Sequence, residues 1–301
     1  MTILITGKTG TVGRNLPAGE GYPSHLYDLR KENDTIELFT HIKPEKVIHL
    51  AARVGGLGTH IKYKKDLFYD NMQINMNVIE AARLVNVSRV LSFLSSCIYS
   101  DKIEQPYNES DIHTDEPFET MYPYGYAKRM LEVQSRIYYE QYDLKYNCVI
   151  PTNIYGIYDD FNLENGHVIG VLIHKTYLAK KLNTDLCVWG DGSQEREFLF
   201  TDDVKRLTYW ALDNYLDKEP LIFSNNELVS VKKIVEIITS AFDFKGNIIF
   251  DTDQPSGQIK RSLDGGKLRK LLPNFKFTPI EEGIYQTIKW FVENYEIKVR
   301  K

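Results

Sequence analysis

Apolar and polar positions along the chain switch between two periods. Short β-branched or apolar runs at 2–6 (TILIT), 46–50 (KVIHL), 89–94 (RVLSFL) and 145–150 (KYNCVI) read as buried strands, and 25–28 (HLYD) reads as a further strand between the first two. Between them the period lengthens to that of helices. Pro17 and Gly19 interrupt the first crossover, so its helix is expected to be short. A second helix is expected over 34–42, ending near Pro44. In a third, longer one, Phe68, Met72, Ile79 and Ala82 recur as a core stripe, and Asn71, Asn75 and Asn77 read as surface positions, one of which could orient the loop at 51–56. A fourth is expected over 122–142. Strand and helix alternate five times, which predicts a right-handed doubly wound parallel sheet with its ligand at the carboxyl ends of the strands.

Beyond Pro151 the regularity loosens. Strands are expected at 186–190 and 247–250, with 192–200 a loop running into another, and helices at 202–215, 231–242 and 279–295. The expected architecture is therefore α/β: a Rossmann-type doubly wound parallel sheet over 1–155, to which later segments return, and a smaller C-terminal α/β substrate-binding domain over 156–301.

A net charge of −4 gives no reason to expect nucleic acid, whose binding rests on basic patches. Cys97, Cys148 and Cys187 are an odd, widely spaced set without a C-x-x-C pair, which argues against a disulfide framework and a zinc knuckle. No metal site and no membrane contact are expected. The chain enters an apolar strand without a basic region before it, no later run is long and apolar enough to span a bilayer, and a cytoplasmic location is the expectation.

The chemistry-bearing residues cluster at strand ends. Gly7-Lys8-Thr9-Gly10-Thr11-Val12-Gly13 follows the first strand and opens a helix, which places backbone N–H groups of Gly7, Thr9, Gly10, Thr11, Val12 and Gly13 toward a dinucleotide pyrophosphate. Asp28, about 20 residues on, suits the ribose 2′-hydroxyl of NAD(H), whereas Arg30 and Lys31 suit the 2′-phosphate of NADP(H). Ala51 and Ala52 are small enough to let a flat ligand lie on the backbone. Tyr124 and Lys128 stand four apart on one helical face, where an ammonium is expected to lower the phenol pKa and ready it for proton exchange with a substrate oxygen. In an extended chain Ser95 and Cys97 share a face and Ser96 points the other way. Lys260 and Arg261, with Arg196, form a candidate phosphate clamp, although each taken singly reads as a surface charge. By residue type alone, Cys97 is a packing residue and His167 a surface or hydrogen-bonding histidine.

These features in this order resemble the extended short-chain dehydrogenase/reductase superfamily. The strings LAARVGG (50–56), SSCIY (95–99), PTNIYG (151–156), NGHVI (165–169), VWGDG (188–192), REFLF (196–200) and PSG…LD (255–264) resemble more narrowly its GDP-L-fucose synthase family. That resemblance implies a dimeric enzyme that favours NADP(H), with NAD(H) left open by Asp28, and acts on a GDP-linked 4-keto-6-deoxy sugar. It implies that Tyr124 donates a proton to the C4 oxygen and Ser95 hydrogen-bonds it, that Lys128 holds the nicotinamide ribose, and that Cys97 and His167 are the base and acid of epimerisation. Asn153 and His167 fall near the cofactor, and Ser96, Asn153, Lys175, Trp189, Arg196, Lys260 and Arg261 near the sugar nucleotide. The alternatives are a C4 reductase of a related GDP-4-keto sugar, such as a 6-deoxy-heptose, that does not epimerise, and a non-catalytic nucleotide-binding scaffold, against which the Ser95, Tyr124 and Lys128 set argues.

Overall fold

In chain order the strands are β1 (Ile3–Thr6), β2 (Lys46–His49), β3 (Arg89–Phe93), β4 (Lys145–Pro151), β5 (Asn153–Tyr155), β6 (Leu186–Trp189), β7 (Glu195–Phe200), β8 (Leu221–Phe223), β9 (Leu228–Ser230), β10 (Ile248–Asp251) and β11 (Lys260–Arg261). The helices are α1 (Thr11–Asn15), α2 (Glu32–Ile42), α3 (Leu57–Lys62), α4 (Lys64–Leu84), α5 (Tyr122–Tyr142), α6 (Val168–Leu182), α7 (Thr201–Asn214), α8 (Val231–Ala241), α9 (Gly266–Leu271) and α10 (Ile280–Asn294). These come from a computed structural model that describes residues 2–22, 25–254, 257–297 and 299. Pro255 and Ser256, the start of one of the family strings, lie outside that set.

β1, β2, β3, β4 and β8 pair in that order, all parallel. Alternation within each strand feeds two cores. Leu4, Val47, Val90 and Ile150 pack on α2, α4 and α5, whereas Ile3, Ile5, Ile48, Leu91 and Val149 pack on α7 and α9. A third core joins α6, α8 and α10 to β6 and β7 through Ile173, Val188, Phe198, Ile234 and Phe291. The loosened region after Pro151 holds two smaller sheets, β6 with β10 and β5, β7, β9 and β11 around β7.

Three expectations are corrected. Residues 25–28 form no strand: the free edge of β1 is taken by Glu20, whose N–H donates to Ile3 O at 2.7 Å and whose carbonyl accepts Ile5 N–H at 2.8 Å. With that edge used, the chain turns, Lys31 N–H bonding Asp28 O at 2.8 Å. Of the expected stripe of α4, Ile79 and Ala82 are buried and Met72 partly so, but Phe68 is exposed and Leu67, Asn71, Asn75 and Val78 turn inward instead. Asn71 and Asn75 are buried, not surface, residues. The Asn71 amide brackets the Arg53 backbone, accepting its N–H and donating to its carbonyl, each at 2.9 Å, so Asn71 does orient the loop after β2. Finally, 96–98 is a 3-10 turn (Ser96–Ile98) rather than extended chain, because the Ser95 hydroxyl oxygen accepts the Cys97 N–H at 3.3 Å and caps it. The alternation of faces therefore stops at Ser95.

Candidate active site

A cleft of about 1130 Å3 lies over the carboxyl ends of β1 to β4. The loop 7–13 lines one wall. Gly7 has φ +71, and a Cβ on it would come within 2.8 Å of Ala51 N, so only glycine lets the turn close against the loop after β2. Thr9, Gly10, Thr11, Val12 and Gly13 continue this wall, with Ala51 and Ala52 beside it and Asp28 and Arg30 at its outer end. Arg30 grips Asp28 through two hydrogen bonds, Nε to Oδ1 at 2.9 Å and Nη2 to Oδ2 at 2.8 Å. A carboxylate covered in this way forms a neutral pair, so its negative charge is no longer free for a ligand.

Deeper in the cleft, α5 starts with Pro123 in its first turn and carries Tyr124 and Lys128 on its buried face. The expected depression of the tyrosine pKa does not hold in this site. Burial pushes the Tyr124 phenol well above its usual range, with the Cys97 thiol adding to the effect, and Lys128 aims elsewhere: its Nζ donates to Phe93 O at 2.7 Å. Burial also lowers Lys128 to about 8. Tyr124 thus keeps its proton in this site. Ser95, Ser96 and Cys97 all reach the cleft from the 3-10 turn.

The opposite wall comes from the C-terminal half. His167 stands at the N-cap of α6, and Asn153 is anchored by its Nδ2 on Glu197 O at 2.9 Å. Lys175 lies 5.3 Å from the Trp189 ring and donates to Cys187 O at 3.1 Å. Arg261 is buried, and donates to Ser96 Oγ at 3.2 Å, Cys97 Sγ at 3.7 Å and Gln258 Oε1 at 3.2 Å. Among the described residues Arg196 donates only to backbone carbonyls, including Gln258 O, and burial together with the Arg261 charge lowers it to about 10. Two guanidiniums line this wall with no carboxylate partner among the described residues, so their charge is not balanced by a neighbouring acid. Lys260 does not join them. It precedes Arg261 on β11, so strand alternation turns its side chain to solvent while Arg261 faces the cleft.

Two residues in the cleft escape sequence reading. Met121 Sδ meets the Cys97 thiol at 3.3 Å and the Arg261 guanidinium at 3.5 Å. His60, on α3, is 4% exposed and sets its ring edge-on to Tyr124 at 5.5 Å and 81°. α3 is too short to show a period, and a lone histidine carries no spacing signal. The one pointer was its position just after the small residues at 51–56.

The fold and the glycine-loop cleft define a dinucleotide-dependent sugar-nucleotide enzyme class, and the comparisons agree. The model of the NAD dependent epimerase/dehydratase family matches residues 3–224. A GDP-L-fucose synthase of Dictyostelium discoideum is 42% identical over 98% of this chain and 96% of its own, and a probable GDP-L-fucose synthase of Drosophila melanogaster is 36% identical over 98% of each. A crystal structure of a GDP-L-fucose synthetase from Naegleria fowleri bound to NADP superposes with TM-score 0.93 at 36% identity, covering all of this chain and 95% of that one. The chain belongs to the GDP-L-fucose synthases of this epimerase/dehydratase family.

Proposed function

We propose that the protein converts GDP-4-keto-6-deoxy-D-mannose to GDP-L-fucose with NADPH, by epimerisation at C3 and C5 followed by reduction at C4. The carrying observation is that Ser95, Cys97, Tyr124 and His167 meet in one cleft with the glycine loop at one end and the Arg196 and Arg261 pair at the other.

The dinucleotide site fits its ligand. The loop 7–13 and the N-terminus of α1 would hold the pyrophosphate, Arg30 the 2′-phosphate, and Lys128 the nicotinamide ribose. Bound NADPH supplies the hydride that reduces C4. The chain's own residues prepare that carbon. Ser95 accepts the Cys97 amide proton on its oxygen, which leaves its hydroxyl proton free for the substrate O4, and the protonated Tyr124 gives a second donor. A C4 ketone held by two donors makes the C3 and C5 hydrogens acidic, since loss of either proton puts negative charge on O4. Cys97 removes the proton as the thiolate and becomes a thiol, and the Arg261 guanidinium at its sulfur favours the charged form that precedes the transfer. His167 returns a proton from the other wall. Tyr124 then protonates O4 as C4 is reduced. The GDP moiety is assigned to Arg196 and Arg261 at the diphosphate and to Lys175 and Trp189 at the base, with Asn153 and Ser96 beside the sugar.

A homodimer is the assembly this reading favours, supported by exposed Phe68, Tyr69 and Met76 on α4 and Met130 and Ile137 on α5. The division into domains at 155/156, with α7, β8 and α9 returned to the first sheet, belongs to the same proposal. The proposed compartment is the cytoplasm, supported by three unpaired cysteines, and among the described residues no helix is long and apolar enough to cross a membrane.

The test is to incubate the protein with GDP-4-keto-6-deoxymannose and NADPH in D2O and read the product by NMR. Deuterium at both C3 and C5 with a reduced C4 is expected. Reduction without deuterium assigns the chain to C4 reduction alone, and no oxidation of NADPH returns it to nucleotide binding.

A further inference from the structure

His60 occupies the reaction chamber without a task in the chemistry above. Its ring lines the cleft, is 4% exposed, and lies edge-on to the Tyr124 ring at 5.5 Å. Its Nδ1 is buried without a hydrogen bond of good geometry, a contact of the ring with the Gly55 backbone aside. A buried polar atom left short of a good partner is costly, so such an atom beside a substrate cleft points to a partner that arrives with the ligand.

The position of this ring is fixed from both sides. Gly56 N–H donates to Asn165 O at 2.8 Å, and the Thr59 hydroxyl donates to Asn165 Oδ1 at 3.0 Å, which ties α3 to the loop that carries His167. A Cβ on Gly56 would come within 2.6 Å of Gly166 O, so glycine is what permits this approach. His60 is therefore locked beside His167 on one side and Tyr124 on the other.

Resting on the function proposed above, we propose that His60 is a substrate-binding residue that hydrogen-bonds a hydroxyl of the hexose and so orients the sugar between Cys97, His167 and Tyr124. The imidazole is suited to this and not to a second acid role. Burial, with His167 and Arg261 close by, holds it near 4, against which the Gly55 backbone weighs less, so it stays neutral with one donor and one acceptor nitrogen.

The variants separate hydrogen bonding from packing. His60→Phe keeps an aromatic ring against Tyr124 and removes both nitrogens, whereas His60→Asn keeps an amide near the place of Nδ1 and loses the ring. Calorimetric titration with GDP and with GDP-L-fucose reads the hexose contact without requiring turnover. For His60→Phe, GDP affinity is expected to match wild type and GDP-L-fucose affinity to fall about tenfold, with Asn recovering most of that loss. In steady state the KM for the sugar nucleotide rises in the Phe variant and that for NADPH does not.

Unchanged GDP-L-fucose affinity in the Phe variant overturns the proposal and leaves His60 as packing, as does an equal loss for GDP and GDP-L-fucose. Should the Phe variant fail to fold, His60→Asn against His60→Ala makes the same comparison, and equal GDP-L-fucose affinities for the two overturn it. A wild-type protein that binds neither nucleotide overturns the functional reading itself, an outcome distinct from wild-type binding that His60 does not influence.

Discussion

The Lys128 ammonium donates to the Phe93 carbonyl at 2.7 Å and stands 5.8 Å from the centre of the Tyr124 ring. The lysine is thereby anchored to the end of β3, the strand that leads into Ser95 and Cys97. The phenol it was expected to ionise keeps its proton, and this arrangement suits a residue that must give a proton to a developing alkoxide.

Tyr124→Phe tests that role directly. Loss of a positioned general acid is expected to slow C4 reduction by about 10²–10⁴-fold while the affinity for NADPH stays within about twofold of wild type. Single-turnover NADPH oxidation and a direct binding titration measure the two quantities, and an equal loss in both would make Tyr124 a structural residue.

The pH dependence should carry the mark of Lys128. Its folded-state pKa is lowered to about 8, so the ammonium is present below that pH and is lost above it. The rate of reduction is therefore expected to fall as pH rises through about 8, and this limb should be absent in Lys128→Met. A wild-type profile flat from pH 7 to pH 9 would show that the charge is not used.

Cofactor choice depends on the Arg30 and Asp28 pair. Arg30 covers the carboxylate, and on the function proposed above its guanidinium would meet the 2′-phosphate. Arg30→Ala removes a charge-assisted contact to the 2′-phosphate and uncovers Asp28, so the NADPH to NADH ratio of kcat/KM is expected to drop roughly ten- to a hundredfold. An unchanged ratio would place the 2′-phosphate elsewhere.

Acid should destabilise the protein through His49. This fully buried ring bonds Thr6 Oγ1 at 2.8 Å and Asn75 Oδ1 at 3.1 Å, and burial, with Lys128 nearby, lowers it to about 3. Between about pH 6.5 and 3 the unfolded chain binds a proton that the folded state excludes, so stability present above pH 6.5 drains away as pH falls. The loss from pH 7 to 4.5 is on the order of 2.5 kcal/mol from this group. Urea unfolding at the two pH values measures it, and His49→Asn should flatten the dependence.

Much of the first half was legible in the chain. The glycine loop after β1 and the helix that carries Tyr124 and Lys128 depend on local rules: a strand followed by glycines, and a spacing of four on one helical face. The short α1 was legible as well, from Pro17 and Gly19.

Other features were set by partners far away in the chain. Residues 25–28 have strand-like composition, but a strand also needs a free edge, and Glu20 had taken it. Phe68 and Leu67 are both apolar, and only the packing of α4 against α2 and α5 decides which turns inward. Lys260 and Arg261 are adjacent cations, yet pairing of β11 with β7 sends one to solvent and the other to Cys97. His60 acquired its place only when α3 was tied to the loop before α6. Periodicity and turn chemistry act over a few residues, so the sequence by itself determined the elements and the reactive residue types. Burial, pairing and charge compensation depend on which distant segments meet, and for that reason the tertiary structure alone decided that Tyr124 keeps its proton, that Arg30 covers Asp28, and that Arg196 of β7 and Arg261 of β11 meet at one wall of the cleft.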